Sequence, residues 1–119
     1  MITRWETDRN HRFSRVEHDG DVIRDHSGLG IQFPYSPIGR TRWELADGDT
    51  EEPFWAAHIA DLENRRPFRN FSYLIRIRSG RVVAAWTSGY PRFEDGAFVG
   101  YRGTGRFTTL EPWPHEASA

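Results

Sequence analysis

One stretch of the sequence, residues 68–109, constrains the fold more than any other part of the chain. It contains three runs rich in aromatic and β-branched residues, and in the first of them every second residue from 71 to 77 is apolar. A period of two is typical of a strand with one buried face. Ser79-Gly80 and Asp95-Gly96 separate the runs, and such dipeptides tolerate the positive φ that tight hairpins need. The stretch therefore predicts a three-stranded antiparallel meander.

Upstream of the meander the sequence predicts a hairpin and two helices. Residues 2–17 alternate apolar with polar side chains on either side of a turn near Asn10. Residues 38–45 fit one short helix. Residues 52–64 fit a longer helix, in which Pro53 suits the first helical position. Because the N-terminal hairpin can pair beside the meander, we expect an α+β domain: a five-stranded antiparallel sheet with short helices packed on one face.

Composition limits the class of protein. The 119 residues suit one domain, for which we expect residues 1–109, followed by an irregular tail at residues 110–119. A formal net charge of −1 gives no general attraction to nucleic acid or to an anionic membrane. No stretch approaches the roughly 20 apolar residues of a membrane span, and cysteine is absent. We therefore expect a cytoplasmic domain that binds neither nucleic acid nor membranes.

Four stretches in this order resemble one known family. They are the opening strands at residues 5–8 and 12–13, the run IGRTRWEL at residues 38–45, residues 54–69, and the meander from Ser88-Gly89-Tyr90-Pro91 through residues 100–106. Together they span nearly the whole chain, and they resemble PAS domains, above all those of bacterial sensor kinases and cyclic-dinucleotide enzymes. The resemblance implies the PAS fold. It also implies a sensory module of signal transduction, as in two-component systems.

Two departures from the PAS pattern limit what the resemblance implies. Residues 107–109 are Phe-Thr-Thr, where such domains usually continue with Asp-Ile-Thr, and Pro112 and Pro114 oppose a continuous output helix. The segment after the first hairpin also lacks the usual Asn-Pro start of a short helix and has Asp25-His26-Ser27-Gly28 instead. Since that region often walls the pocket in PAS domains, the shape of the pocket does not carry over.

A small ligand, if one binds, is expected between the inner face of the sheet and the longer helix. Periodicity selects the candidates, because residues at i, i+3, i+4 and i+7 of a helix share one face, as alternate residues of a strand do. The candidate ligand-binding residues are Trp55, His58, Ile59, Leu62, Tyr73, Ile75 and Trp86. The alternative is a filled core that signals through protein contacts alone.

His58 is the sharpest candidate for cofactor chemistry, because haem-binding PAS sensors use a helical histidine as axial ligand. A core histidine with a local hydrogen bond is the more frequent case. Flavin-binding relatives attach the cofactor through cysteine, so this chain has no covalent flavin photochemistry. Side chains that suit a divalent metal cluster after the first hairpin: His18, Asp19, Asp21, Asp25 and His26. Their spacing matches no metal motif, and we assign no metal site.

The resulting prediction is a sensory or protein-interaction module without catalysis of its own, which acts on a signalling protein or effector domain. The resemblance also implies homodimerisation. The alternative is a small α+β pocket enzyme of the ketosteroid-isomerase or cyclase type, for which Asp61, His58 and Tyr73 could supply an acid–base pair. Asp61 and His58 are three residues apart, a spacing more often found in a surface pair on a helix. We therefore assign no catalytic residue.

Overall fold

The computed structural model describes residues 2–18, 36–78 and 80–109. Within these ranges the elements in chain order are β1 (Thr3–Thr7), β2 (Phe13–His18), α1 (Arg42–Leu45), α2 (Pro53–Glu63), β3 (Phe68–Arg76), β4 (Val82–Glu94) and β5 (Ala97–Thr109). The strands form one sheet in the order β2-β1-β5-β4-β3, and every neighbouring pair is antiparallel. The predicted α+β class and the five-stranded antiparallel sheet are confirmed. The irregular tail predicted at residues 110–119 lies outside the described residues.

Two of the predicted turns have the expected backbone chemistry. Asp95 and Gly96 join β4 to β5 with φ of 49° and 81°. Two central residues with positive φ twist in the same sense as the flanking strands, which is why Asp-Gly suits a two-residue hairpin. Between β1 and β2 the Asp8 carboxylate accepts hydrogen bonds from Asn10 N at 2.8 Å and Arg12 N at 3.0 Å. That side chain mimics a backbone turn and fixes the first hairpin.

The helices follow their sequence signals with one difference in length. Pro53 is the first residue of α2, as predicted. The helix α1 is shorter than the expected span of residues 38–45, because Gly39 has a φ of 86° and cannot continue a helix. It begins instead at a capping box, in which the Thr41 hydroxyl accepts from Glu44 N and the Glu44 carboxylate accepts from Thr41 N.

Glycines in β4 and β5 make room for an indole ring on the inner face of the sheet. Gly89 and Gly103 are cross-strand partners, and Gly103 is also the partner of Trp5 on β1. A Cβ atom at Gly103 would lie 1.9 Å from Ser88 O and 2.5 Å from Trp5 Cζ2. A Cβ atom at Gly89 would lie 2.6 Å from Trp5 Cη2. Only glycine allows Trp5 to lie flat against the strands, and Phe68 stacks on its other side.

The core lies between this inner face and the two helices. The buried apolar residues come from all strands and both helices, and Phe13, Leu45, Leu62, Ile75 and Val83 are among them. Large aromatic rings fill much of the remaining volume. The helices therefore cover one face of the sheet and leave the other to solvent.

Candidate functional site

The inner face of the sheet and α1 line a partly open cavity of about 40 Å³. Its wall is mostly apolar and includes Phe13, Val16, Leu45 and Ala85. A volume of this size holds roughly three water-sized groups, since one water needs about 10–15 Å³. A larger concavity of about 330 Å³ on the outer sheet face has a wall rich in charged side chains. Another, of about 690 Å³, lies between α2 and β3 and includes His58 and Phe71 in its wall. The cavity beside α1 is the stronger candidate because a buried charge lies in its wall.

That charge is the guanidinium of Arg42, whose residue is only 3% exposed. The capping box starts α1 one residue earlier, so Arg42 and Leu45 turn together toward the core. The Arg42 Cζ atom lies 4.6 Å from the Trp5 ring centroid, 5.3 Å from that of Phe13 and 5.4 Å from that of Phe68. Three aromatic rings thus surround the cation within the distance of cation–π interactions.

Arg42 has no carboxylate partner in the part of the chain that the structure describes. Burial lowers the pKa of its guanidinium, and the nearby Tyr73 opposes that change. Even so, arginine remains charged in a folded protein. Its Nε and Nη2 atoms are buried and have no partner at good hydrogen-bond geometry among the described residues, although the Tyr73 phenol is near enough for a side-chain hydrogen bond with the guanidinium. Within the described part of the chain, two donors of this buried cation therefore lack a well-placed acceptor.

The third nitrogen, Arg42 Nη1, lies 3.1 Å from His58 Nε2. Because a guanidinium has donors only, His58 Nε2 accepts this bond, and the neutral imidazole carries its proton on Nδ1. Burial lowers the pKa of His58 to about 3, with further contributions from the charges of Arg42 and His11. Its ring stacks on Phe71 with centroids 3.7 Å apart. His58 is thus a core histidine with a local hydrogen bond, and Nε2 already has a partner.

The structure gives the other candidates different positions. Tyr73 lines the cavity, and burial raises the pKa of its phenol. Trp55, Leu62 and Ile75 are fully buried in the core. Ile59 is half-buried on α2.

Trp86 departs from the expectation that it shares a face with Tyr73 and Ile75. The buried positions of β4 alternate at Val83, Ala85, Thr87 and Gly89, so the intervening Trp86 side chain takes the outer face. There Trp86 Nε1 donates to Thr108 Oγ1 at 3.2 Å. Trp86 still borders the cavity at its edge.

Arg42 was not among the residues selected from the sequence. Periodicity selects apolar residues, and a charged side chain in a short helix is normally exposed. The available signal was the Thr-x-x-Glu pattern at Thr41 and Glu44, which is typical of a helix start. With Leu45 as the buried anchor of a helix that starts there, position 42 falls on the same face, three residues earlier.

The side chains proposed for an acid–base pair are not joined in the structure. Asp61 Oδ1 lies 3.4 Å from Arg66 Nη1, and His58 contacts Arg42 instead. Among the described residues, no three His, Asp or Glu side chains group in a way that could hold a metal ion. The metal-ligand types at residues 19–26 lie outside the described ranges. No helix in the described part of the chain has the length and apolar character needed to cross a membrane.

Comparison with known proteins adds no relative. No family model matches the chain, and no curated protein matches it either. The cavity, the buried Arg42 and its contact with His58 are therefore the basis for a functional assignment.

Proposed function

We propose that this chain is a PAS-like sensory module that binds a small molecule in the cavity beside Arg42 and passes a conformational change to a signalling partner. The observation that carries the proposal is the buried Arg42 cation in the wall of a mostly apolar cavity, with two donors that no described residue accepts. Burying a charge without a partner destabilises a folded protein by about several kcal/mol. Ligand sites commonly combine apolar walls with a few convergent polar groups of this kind.

The arrangement of the sheet supports the proposal at the level of the fold. The observed order β2-β1-β5-β4-β3 joins the N-terminal hairpin to the meander, and the helices pack on one face. This agrees with the order of elements on which the PAS resemblance rests. Fold alone does not assign a function, so the chemistry of the cavity has to carry that step.

A continuous set of contacts links the cavity to the rest of the molecule. Arg42 Nη1 contacts His58 on α2. The Tyr101 hydroxyl of β5 donates to Arg66 O at 2.8 Å, just after that helix, and lies 3.4 Å from Leu62 O at its end. A ligand bound to Arg42 would change the contact between Arg42 and His58, and so the position of α2 relative to β5. Such a bias is a population shift, which an attached or docked protein can read.

The proposal is tested by filling the cavity. Ala85 is 4% exposed and lines the cavity, whereas its neighbour Ala84 lies on the opposite face of β4. Native mass spectrometry of the purified chain would detect a copurifying small molecule, and thermal-shift screening with a metabolite library would detect added ones. We expect a bound ligand to raise the melting temperature of the wild type and of Ala84→Leu. We expect Ala85→Leu to lose that response, because leucine occupies the space.

Two outcomes would contradict the proposal. If no copurifying or added molecule binds, the cavity has no ligand-binding role and the domain acts through protein contacts alone. If a ligand stabilises Ala85→Leu as much as the wild type, it binds elsewhere. The sensory part is tested by hydrogen exchange with and without the ligand, and unchanged exchange in α2 and β5 would oppose it.

A further inference from the structure

We infer that the cavity takes a small carboxylate, held by two parallel hydrogen bonds from Arg42 Nε and Nη2. This inference rests on the proposed function, since it names the class of ligand for the same cavity. It follows from which edge of the guanidinium is free, what surrounds that edge and how much space is left.

The free edge of Arg42 has the geometry of a carboxylate receptor. Nη1 is engaged by His58 Nε2, while Nε and Nη2 have no partner among the described residues. In a planar guanidinium, Nε and the nitrogen trans to Cδ point their N–H bonds in parallel from one edge. The two oxygens of a carboxylate match that edge and accept both bonds at once.

The contact with His58 favours an anion over other ligands. His58 is neutral and accepts from Arg42, so this contact does not neutralise the positive charge of the guanidinium. An uncharged ligand would leave the cation without a counter-charge, and a cationic ligand would be repelled by it. An anion is the class that compensates the charge.

The wall of the cavity favours an organic anion. Apart from Arg42, the surface includes the side chains of Phe13, Val16, Leu45 and Ala85. Such a wall suits an alkyl group better than further charged oxygens. Trp5 also lines the cavity, and its buried Nε1 has no partner in the described part of the chain, so one more donor remains unused.

The volume limits the size of the ligand. Room for roughly three water-sized groups limits the ligand to about the size of acetate. A ligand with so few atoms binds weakly, and we expect a dissociation constant in about the millimolar range.

The experiment is an NMR titration of the full chain with sodium acetate, with sodium nitrate and sodium chloride at equal ionic strength as separate arms. The readout is the ¹H–¹⁵N signal of Arg42 Nε, identified by its loss in Arg42→Met. We expect acetate to shift this signal in a saturable manner and chloride to leave it unchanged. Nitrate is planar but has no alkyl group, so we expect it to bind more weakly than acetate.

Two further variants separate ligand binding from a structural role of Arg42. Arg42→Lys keeps the charge but lacks the two-donor edge, and we expect it to weaken acetate at least about tenfold, as followed on the Trp indole signals. Arg69→Met, at an exposed position of β3, is the control and should bind acetate like the wild type. Without ligand, Arg42→Met should change the melting temperature little, because the lost cation–π contacts and His58 hydrogen bond offset the removed cost of burying the charge.

The outcomes distinguish the ligand class from the proposed function. If acetate leaves the Arg42 signal unchanged while a neutral ligand binds and Ala85→Leu blocks it, the carboxylate inference is overturned and the proposed function stands. Binding of nitrate in preference to acetate would also overturn it. If acetate binds equally to Arg42→Lys and the wild type, Arg42 is a structural cation held by its aromatic neighbours. If neither acetate nor any other molecule binds, both the inference and the proposed function fail.

Discussion

Arg42 is buried among aromatic rings that compensate its charge only in part. A cation–π contact contributes about 0.5–2 kcal/mol, and Trp5, Phe13 and Phe68 supply three such contacts at 4.6–5.4 Å. The effective cost of burying one ion is several kcal/mol. The hydrogen bond to His58 adds about 1.5–3 kcal/mol, as expected for a charged donor. The stabilising contacts and the cost of burial are therefore similar in size. A ligand with a negative charge would add a further stabilising contact to Arg42.

His58 makes the stability of the protein depend on pH. Its pKa is lowered from 6.5 to about 3 in the folded state, chiefly by burial. Between these values the unfolded chain binds a proton that the native protein does not, so stability rises with pH across this window. The contribution is fully present above about pH 6.5 and is lost as the pH falls toward 3, with a slope of up to about 1.4 kcal/mol per pH unit.

Urea denaturation of the wild type and of His58→Gln at pH 7.5, 6 and 5 checks this expectation. Glutamine retains an oxygen that can accept from Arg42 but does not titrate, so the variant should lose less stability between pH 7.5 and 5 than the wild type. His11 is also buried with a lowered pKa, and His11→Gln measures its separate share. Equal slopes for the wild type and His58→Gln would show that His58 titrates freely in solution and does not accept from Arg42.

At the scale of the elements, Gly103 of β5 has a packing role. A side chain at Gly103 would meet Ser88 O at 1.9 Å, which is backbone and cannot move aside without breaking the β4–β5 pairing. At Gly105 the nearest atom, Trp86 O, would be 2.9 Å away and the next 3.7 Å away. The same substitution therefore has different consequences two residues apart on one strand.

We expect Gly103→Ala to lower the free energy of unfolding by about 3 kcal/mol or more, because Trp5 and two strands must move. Gly105→Ala is the matched comparison and should cost clearly less, about 1–2 kcal/mol, because only the Trp86 carbonyl has to shift and by a smaller distance. Chemical denaturation followed by tryptophan fluorescence measures both. Equal losses would mean that Trp5 does not lie against Gly103 as described.

Local signals explain which elements could be predicted from the sequence. Period-two alternation identified the strands, Asp95-Gly96 identified the turn between β4 and β5, and Pro53 identified the start of α2. These properties depend on neighbouring residues. The face of Trp86 could not be chosen in this way, because β4 carries apolar side chains on both faces and the alternation fits either assignment.

The candidate site was harder to predict because it depends on contacts between distant parts of the chain. Arg42 is buried by rings at positions 5, 13 and 68, and no pattern around residue 42 indicates them. Tyr73 and His58 were selected correctly as inward-facing, but their relation to Arg42 appears only in three dimensions. A buried charge is decided by tertiary partners, and residue type alone predicts the opposite.

At the scale of the whole molecule, the Glu6 carboxylate joins the N-terminal hairpin (β1 and β2) to the meander (β3 to β5). Glu6 on β1 lies 3.3 Å from Arg92 on β4, 3.4 Å from Arg102 on β5 and 3.9 Å from Arg15 on β2. The Glu6 side chain is 20% exposed, so its ion pairs are less screened than those of a fully exposed pair. The hairpin also supplies Trp5 and Phe13 to the cavity, so its attachment to the meander holds part of the cavity wall in place.

We expect Glu6→Gln to lower the free energy of unfolding by about 1–2 kcal/mol at low salt, because three arginines on three strands lose their common partner. The loss should shrink in about 1 M sodium chloride, where the Debye length is about 3 Å. Glu17→Gln is the matched control, because Glu17 is 48% exposed and pairs with Arg15 on its own strand. It should cost less than about 0.5 kcal/mol. Urea denaturation at both salt concentrations measures the two variants. We expect Glu6→Gln to have a larger effect than Glu17→Gln and to increase amide exchange in β1. Faster exchange in β2 alone would show that Glu6 does not hold the hairpin to the meander.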